Sequence, residues 1–329
     1  FHTLVAQQFD REMLDDMGLL ATKIRRIAKS KSGMNFLQSL LSHKRVMLYF
    51  SQPSSRTFLS FYAACQIVGI KPAEVRETST SSEMKGESPE DTVRTFSSYF
   101  DMLVMRTPQR AFAERMAWSL SNTERPVPIV NAGSGKDQHP TQSLLDIYTL
   151  QRSFEKSHGI DNKKIAFVGD LARGRTVRSL SWLLTNYKNV KQYFVTDERL
   201  QVSEDILESL RKKNIEFETG NDFKAVIPEV DAIYMTRIQD EWDTAPGESS
   251  NIDITQYSFT SEDLKRLKLN AVLMHPLPRH KEIDVAVDKD PRAVYWRQVR
   301  NGMWIRAALI ALTFGVDEEI NRYYKVNLA

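Results

Sequence analysis

Short apolar runs alternate along almost the whole chain with longer segments in which apolar residues recur every three or four positions. A strand covered by helices on both faces reads as a continuous apolar run, so this alternation predicts βαβ units and a largely parallel sheet. Strands are predicted over 45–50, 102–105 and 127–130 in the first half, and over 164–168, 192–196, 215–218, 232–235 and 271–274 in the second. Between the two sets, 141–154 places Leu144, Leu145, Ile147, Tyr148 and Leu150 at helical spacing, and the polar, glycine-containing 155–163 follows. This segment predicts a helix that connects two α/β halves. A helix over 58–68 is stopped by Gly69, and a late apolar stretch over 303–316 reads as a packed helix interrupted by Arg306. That stretch is shorter than the ~20 residues a membrane span requires. Internal repeats, heptads and low-complexity linkers are absent from the pattern.

A chain of 329 residues and 37.9 kDa is long enough for two domains. Its 45 Lys and Arg against 42 Asp and Glu leave a net charge of +3, which gives no reason to expect nucleic acid as a partner. Positive charge that matters must then be concentrated locally. The single cysteine, Cys65, can form neither an intrachain disulfide nor a thiolate metal site, so a reducing compartment, the cytoplasm, is expected. The first residues carry charge where a secretory core is apolar, so no signal peptide and no membrane association are expected. The chain does not open on Met, which suggests that a few residues precede Phe1.

In open α/β sheets ligands bind beyond the carboxyl ends of strands, so the loops there are the places to look. The first, Ser51-Gln52-Pro53-Ser54-Ser55-Arg56-Thr57, brings hydroxyls, a guanidinium and unpaired backbone N–H groups to one helix start. It fits two readings equally: an anion site built on a helix N-terminus with a forked Arg contact, or an ordinary Ser cap with a surface Arg. The next strand ends in Met105-Arg106-Thr107-Pro108, where a lone Arg is more often a surface ion-pair partner. After 127–130 the chain reads Asn131-Ala132-Gly133-Ser134-Gly135-Lys136-Asp137-Gln138-His139-Pro140-Thr141-Gln142. This is no Walker loop, because Gly-Lys is followed by Asp and the spacing is wrong. His139 and Gln142 bring an imidazole and an amide to one helix mouth; a His that only bonds its own turn is the competing reading.

In the second half, 164–168 runs into Gly169-Asp170-Leu171-Ala172-Arg173-Gly174-Arg175-Thr176. The dinucleotide glycines are missing, and arginines stand where a pyrophosphate needs bare backbone, so a carboxylate substrate is the better expectation. Two further strands end in Thr236-Arg237-Ile238-Gln239 and His275-Pro276-Leu277-Pro278-Arg279, and the prolines of the latter leave carbonyls for a substrate N–H. No H-E-x-x-H, G-x-S-x-G or C-x-x-C motif is present, and the 6 histidines do not cluster with carboxylates at metal-ligand spacing. A hydrolytic triad and a metal site are therefore not expected. What remains is a set of Arg, hydroxyl and amide groups suited to catalysis by positioning and charge stabilisation.

Seven strings in this order and approximate spacing resemble the aspartate/ornithine carbamoyltransferase family: Ser54-Ser55-Arg56-Thr57, Lys85-Gly86-Glu87-Ser88, Met105-Arg106-Thr107-Pro108-Gln109, His139-Pro140-Thr141-Gln142, Gly174-Arg175-Thr176-Val177, Thr236-Arg237-Ile238-Gln239 and His275-Pro276-Leu277-Pro278-Arg279. The likeness covers essentially the whole chain, and the last two strings are similar to the aspartate branch. It implies two doubly wound α/β domains, each with a mainly parallel sheet flanked by helices, joined by two interdomain helices. Residues 1–145 with 305–329 would bind carbamoyl phosphate, and 146–304 would bind aspartate. The implied reaction moves the carbamoyl group of carbamoyl phosphate to the amino group of L-aspartate, giving N-carbamoyl-L-aspartate and phosphate, the committed step of pyrimidine synthesis.

The resemblance also implies roles. Ser54, Ser55, Arg56, Thr57 and Arg106 would hold the phosphate, while Thr57, Arg106 and His139 polarise the carbamoyl carbonyl. Gln142 and the backbone carbonyls of Pro276 and Leu277 would hold the carbamoyl amide. Arg175 beside Thr176 would pair with the α-carboxylate of aspartate, and Arg237 with Gln239 would hold its side-chain carboxylate. Ser81 and Lys85 would enter the site of a neighbouring subunit, making a homotrimer with shared sites the minimal active unit. The alternative for this loop is a solvated surface segment. Larger assemblies with regulatory chains or pathway enzymes fit the resemblance too. No cofactor and no metal are implied for this chain.

Four positions depart from the family pattern. Gln52 and Trp242 stand where the family commonly has an acidic and a basic residue that link the domains, so closure should be less strongly favoured and aspartate affinity weaker. Ser55 replaces a more usual Thr and keeps the hydroxyl, and Met84 leaves Lys85 as the only basic group on its loop. Two other readings remain open at this point: a carbamoyltransferase for a different amino acid, and a non-catalytic carbamoyltransferase-like paralog.

Overall fold

The computed structural model describes residues 1–76, 86–135, 138–238, 253 and 255–328. The chain divides into two compact units, Phe1–Tyr148 with Asn301–Ala329, and Thr149–Arg300.

In the first unit β1 (Val46–Phe50), β2 (Ala73–Val75), β3 (Met102–Thr107) and β4 (Ile129–Ser134) form a parallel sheet in the order β2-β1-β3-β4. The Val-Met-Leu-Tyr-Phe run of β1 is buried throughout, as a strand covered on both faces must be. Met47, Tyr49, Leu103 and Met105 pack with Phe112, Met116 and Leu120 of α5 (Phe112–Ser121). The helix α1 (Arg11–Ile27) is capped by the Asp10 carboxylate, which accepts from the Met13 N–H, and it buries Leu14, Met17, Leu20, Ile24 and Ile27. The helix α2 (Lys31–Leu40) meets the terminal helix α11 (Asp317–Asn327) through stacked Phe36 and Tyr323 rings 4.0 Å apart. The helix α3 (Ser55–Ile67) ends before Gly69, which has φ +91°, and a Cβ there would lie 1.9 Å from the Gln38 carbonyl oxygen. Only glycine fits that stop.

In the second unit β5 (Lys164–Val168), β6 (Lys191–Val195), β7 (Phe217–Gly220), β8 (Ala232–Met235) and β9 (Val272–Met274) form a parallel sheet in the order β7-β6-β5-β8-β9. One face packs Ala166, Val168, Ile233, Met235 and Leu273 against Phe223, Phe259 and Val287. Side chains alternate along a strand, so Phe167, Phe194 and Tyr234 lie on the other face, where Phe167 stacks on Phe194 at 5.4 Å.

Both sheets are doubly wound. The chain leaves a central strand (β1 or β5) toward one edge and then returns to build the other, which puts a topological switch point between β1 and β3 and another between β5 and β8. The chain passes between units within α6 (Pro140–Ser153) and within α10 (Tyr295–Thr313).

Several boundaries differ from the sequence pattern for physical reasons. The strand β2 is missing from the pattern because a half-exposed, three-residue edge strand carries no apolar run. The polar tail Asn131-Ala132-Gly133-Ser134 belongs to β4, not to the loop, since the Asn131 amide bonds the Leu4 carbonyl and the Ser134 hydroxyl. The late helix begins eight residues before 303 and stops at Thr313, after which Gly315, at φ +68°, turns the chain into α11. Among the described residues no helix is long and apolar enough to cross a membrane.

Candidate active site

At the β1 end, Ser54 precedes α3 in extended conformation, and its side chain makes no cap hydrogen bond. The ordinary Ser-cap reading of this loop therefore fails. Ser55 and Arg56 are exposed on the first turn, and Thr57 is buried behind them. The loop is tied to the next strand: the Gln52 N–H and the Ser51 hydroxyl both donate to the Arg106 carbonyl, at 3.2 and 3.4 Å.

Arg106 pairs in register with Phe50 at the end of β3 and is only 7% exposed, so it is no surface ion-pair residue. Its Nη1 donates to the Ala132 carbonyl at 3.1 Å, holding the guanidinium across β4. The loop after β4 is closed by the Gly135 N–H on the Thr107 carbonyl and by the Ser134 N–H on the Gln138 carbonyl, both 3.1 Å.

His139 is buried immediately before α6, and its carbonyl accepts from the N–H groups of Gln142 and Ser143. The Gln142 side-chain NH2 donates to Asp146 one turn on, at 3.0 Å, which orients the amide and makes its oxygen the end that accepts. Arg306, read from the sequence only as an interruption, completes this arrangement. It is buried over the Phe61 ring at 4.9 Å and donates to the Ser60 hydroxyl of α3 at 2.7 Å and to the Thr141 hydroxyl of α6 at 3.4 Å. Burial lowers its pKa to about 10, opposed by the charge of Asp146, so it stays cationic at neutral pH. Gly302 makes room, since a Cβ there would lie 2.7 Å from the Arg306 Nη1. One buried guanidinium thus ties the helix of the hydroxyl loop to the helix that carries Gln142.

In the second unit, Gly169 at φ +110° lets the β5 loop pass β8, because a Cβ would stand 2.1 Å from the Thr236 carbonyl oxygen. Buried Asp170 accepts from the Arg173 N–H at 3.1 Å and closes the turn, and the Thr236 N–H and hydroxyl both donate to the Val168 carbonyl. Arg175 and Thr176 open α7 (Arg175–Leu184), half exposed. Arg178, one turn on, is bound to Asp205 and Ser203, and hydrogen bonds from it bring the Asp205 pKa down to about 2. Arg237 is half-buried and donates to the Ile238 carbonyl at 2.9 Å.

The β9 end carries the His-Pro-Leu-Pro-Arg string. Leu277 sits in the left-handed region at φ +59°, and the Leu277–Pro278 bond is cis. Arg279 is taken up by Asp288, whose Oδ2 it meets at 2.7 Å, and by the Tyr295 hydroxyl at 3.0 Å, so it is a structural residue. Ser81, Lys85, Gln239, Met84 and Trp242 lie outside the described residues. Among the described residues no three His, Cys, Asp or Glu side chains gather in a metal-binding arrangement.

The first unit therefore brings Ser54, Ser55, Arg56, Thr57, Arg106, His139 and Gln142 to the carboxyl ends of β1, β3 and β4. The second brings Arg175, Thr176, Arg237, Pro276 and Leu277 to those of β5, β8 and β9. The sequence reading missed Asp146 and Arg306. The first had a signal in its i, i+4 spacing from Gln142, and the second in a lone charge within an apolar helix.

Comparison with known proteins identifies the family. The carbamoyl-P binding domain of the aspartate/ornithine carbamoyltransferases matches residues 2–152, and the Asp/Orn binding domain matches 161–313. A chloroplastic aspartate carbamoyltransferase of Pisum sativum is 41% identical over 311 residues, 93% of this chain and 76% of the relative. The catalytic subunit from Vibrio cholerae is 43% identical over 275 residues, 83% of this chain and 86% of the relative. Among solved structures, the catalytic subunit of M. Jannaschii aspartate transcarbamoylase superimposes with a TM-score of 0.83 at 36% identity, covering 94% of this chain and 96% of that one. Aspartate transcarbamoylase from Trypanosoma cruzi, in complex with carbamoyl aspartate and phosphate, gives 0.81 at 33% identity and 94% coverage of each. With family models matched over most of its length, a doubly wound sheet in each unit and arginines at the strand ends, this chain belongs to the aspartate/ornithine carbamoyltransferase family.

Proposed function

We propose that the protein transfers the carbamoyl group of carbamoyl phosphate to the amino group of L-aspartate, releasing N-carbamoyl-L-aspartate and phosphate. The observation that carries this reading is the division of strand-end cations: buried, carbonyl-anchored Arg106 in the first unit, and half-exposed Arg175 and Arg237 in the second. One phosphate and two carboxylates are the anions such a set suits.

Ser54, Ser55, Arg56, Thr57 and Arg106 hold the phosphate of carbamoyl phosphate. The aspartate amine, in its neutral form, attacks the carbamoyl carbon, and the carbonyl oxygen gathers negative charge beside Thr57, Arg106 and His139. Each such donor contributes roughly 3–4 kcal/mol to the barrier reduction. Gln142, its amide oriented by Asp146, and the carbonyls of Pro276 and Leu277 accept from the carbamoyl NH2. The bond from carbon to the phosphate oxygen then breaks, and the departing phosphate takes the proton from the amine. Arg175 with Thr176 holds the α-carboxylate, and Arg237 with Gln239 the side-chain carboxylate.

The reading includes a homotrimer in which Ser81 and Lys85 of one subunit complete the site of its neighbour. Mixing inactive Arg56→Ala subunits with inactive Lys85→Ala subunits should restore partial activity, because some mixed sites receive both wild-type residues. Mixed trimers without activity would remove the shared site. The compartment is proposed to be a reducing one, because a chain with one cysteine forms no intrachain disulfide; that thiol, Cys65, is buried, and burial pushes its pKa up to about 12.

The direct test is to supply carbamoyl phosphate with aspartate or with ornithine and to follow the carbamoylated products. Carbamoyl aspartate should form. Carbamoylation of ornithine alone would reassign the acceptor, and phosphate binding without turnover would make the chain a non-catalytic paralog.

A further inference from the structure

His275 opens the string whose carbonyls receive the carbamoyl amide in the reading above, yet its own side chain is fully buried and touches no solvent. Its Nε2 lies 2.7 Å from the Glu282 Oε1, and its Nδ1 lies 2.8 Å from the backbone nitrogen of Leu277. Its backbone N–H donates to the buried Gln298 amide oxygen at 2.9 Å, so the residue is pinned at both ends.

The hydrogen-bond chemistry assigns the protons. A backbone N–H can only donate, so Nδ1 must present a lone pair to Leu277. In a neutral ring the remaining proton then sits on Nε2, from which it is donated to Glu282. A doubly protonated ring would set an N–H on Nδ1 against the Leu277 N–H. Glu282 is held in turn: its two oxygens accept from the His280 N–H at 3.0 Å each, and its backbone carbonyl accepts from the Phe259 N–H at 2.8 Å.

The restrained amide belongs to the residue that needs restraint. Leu277 has φ +59°, a left-handed conformation that a non-glycine residue adopts only at a cost. That conformation sets the directions of the Pro276 and Leu277 carbonyls, and the His275 Nδ1 bond falls on the N–H between them.

We propose that His275 is a positioning residue for carbamoyl transfer: as a neutral Nε2–H imidazole fixed by Glu282, it accepts the Leu277 N–H and aims the Pro276 and Leu277 carbonyls at the carbamoyl NH2. The proposal rests on the functional reading of the preceding section, but the protonation of the ring can be tested without it.

Asn and Gln at this position separate the two ring contacts. His275→Asn puts an oxygen near the Nδ1 position and retains an acceptor for Leu277, whereas His275→Gln puts its amide near Nε2, keeps the donor to Glu282 and abandons Leu277. With the full-length chain at saturating substrates, kcat should fall about 100-fold in the Gln variant, the usual cost of a reacting group displaced by about 1 Å. The Asn variant should stay within about tenfold of wild type, although it loses the Glu282 bond and melts lower. Activity that follows melting temperature, or an Asn variant no better than Gln, would overturn the proposal. Independently, nitrogen-15 NMR of histidine-labelled protein, with the His275 signals identified by their loss in the Asn variant, should show a neutral Nε2–H tautomer at pH 7. An Nδ1–H tautomer or an imidazolium there would overturn the assignment. A wild-type chain that forms no carbamoyl aspartate would defeat the functional reading and leave the NMR result to stand alone.

Discussion

The two sheets are wound alike, but their strand-end loops are held in different ways. In the first unit the loops hold one another: Ser51 and Gln52 on the Arg106 carbonyl, the Arg106 guanidinium on Ala132, Gly135 on Thr107, and Arg306 beneath α3 and α6. In the second, the β5 and β8 loops are joined by Thr236 and the space at Gly169, but Arg175 and Arg237 stand half exposed at their ends. A rigid, desolvated donor set favours charge that develops during reaction, because little reorganisation is needed when it appears. A half-exposed guanidinium meets a carboxylate equally before and during reaction, so it contributes to binding. Arg106 of the first unit should therefore govern kcat, and Arg175 and Arg237 of the second the KM for aspartate.

The largest expected effect tests the support under the first unit. Arg306→Met leaves the Asp146 charge without its buried counterpart and should destabilise the protein by about 3–5 kcal/mol in denaturant titrations. A loss under 1 kcal/mol would mean that Arg306 does not brace α3 and α6. Next, Arg106→Ala should lower kcat about 10²–10³-fold, as expected when a developing oxyanion loses a donor, with little change in the KM for aspartate. An Arg106 variant that altered only KM would erase the contrast between the units.

Arg237→Ala should show the reverse. Losing one charged hydrogen-bonding group costs about 1.5–3 kcal/mol, so the KM for aspartate should rise roughly 10–100-fold, with phosphate inhibition unchanged. A fall in kcat matching that of Arg106→Ala would assign Arg237 to the chemical step. The smallest effect belongs to Arg178, one helical turn from Arg175. Its partner Asp205 is ordinary in the unfolded chain and held at about 2 in the folded one, so the pair stabilises above the unfolded value and loses that contribution as pH falls toward 2. The Asp205 side chain is 61% exposed, so Arg178→Ala should cost under about 1 kcal/mol at pH 7, leave kcat unchanged, and cost progressively less as pH falls through about 2. A strong loss of activity would mean that Arg178, not Arg175, faces the substrate.

The sequence made particular parts of this arrangement legible. The β1, β5 and β8 runs were read nearly to the residue, because buried parallel strands are continuously apolar. The arginines at 106, 175 and 237 stood out because each follows such a run. Residues whose role depends on a distant partner were not legible. Arg306 looked like a flaw in an apolar helix, and Ser54 fitted a helix cap as well as an anion site. Its side chain makes no cap bond, a fact fixed by the backbone at the β1 end and not by residue type.

By itself, then, the sequence determined the alternation of strands and helices, the loops in which polar chemistry follows a strand, and the family. Those properties are local or ordered along the chain, and periodicity and motif order record them. Tertiary structure alone decided which polar groups are occupied: Arg178 by Asp205, Arg279 by Asp288, and the His275 ring by Leu277 and Glu282. The physical reason is that a donor's role depends on which acceptor the fold brings within about 3 Å, and for Arg178 or Arg306 that acceptor lies many residues away along the chain.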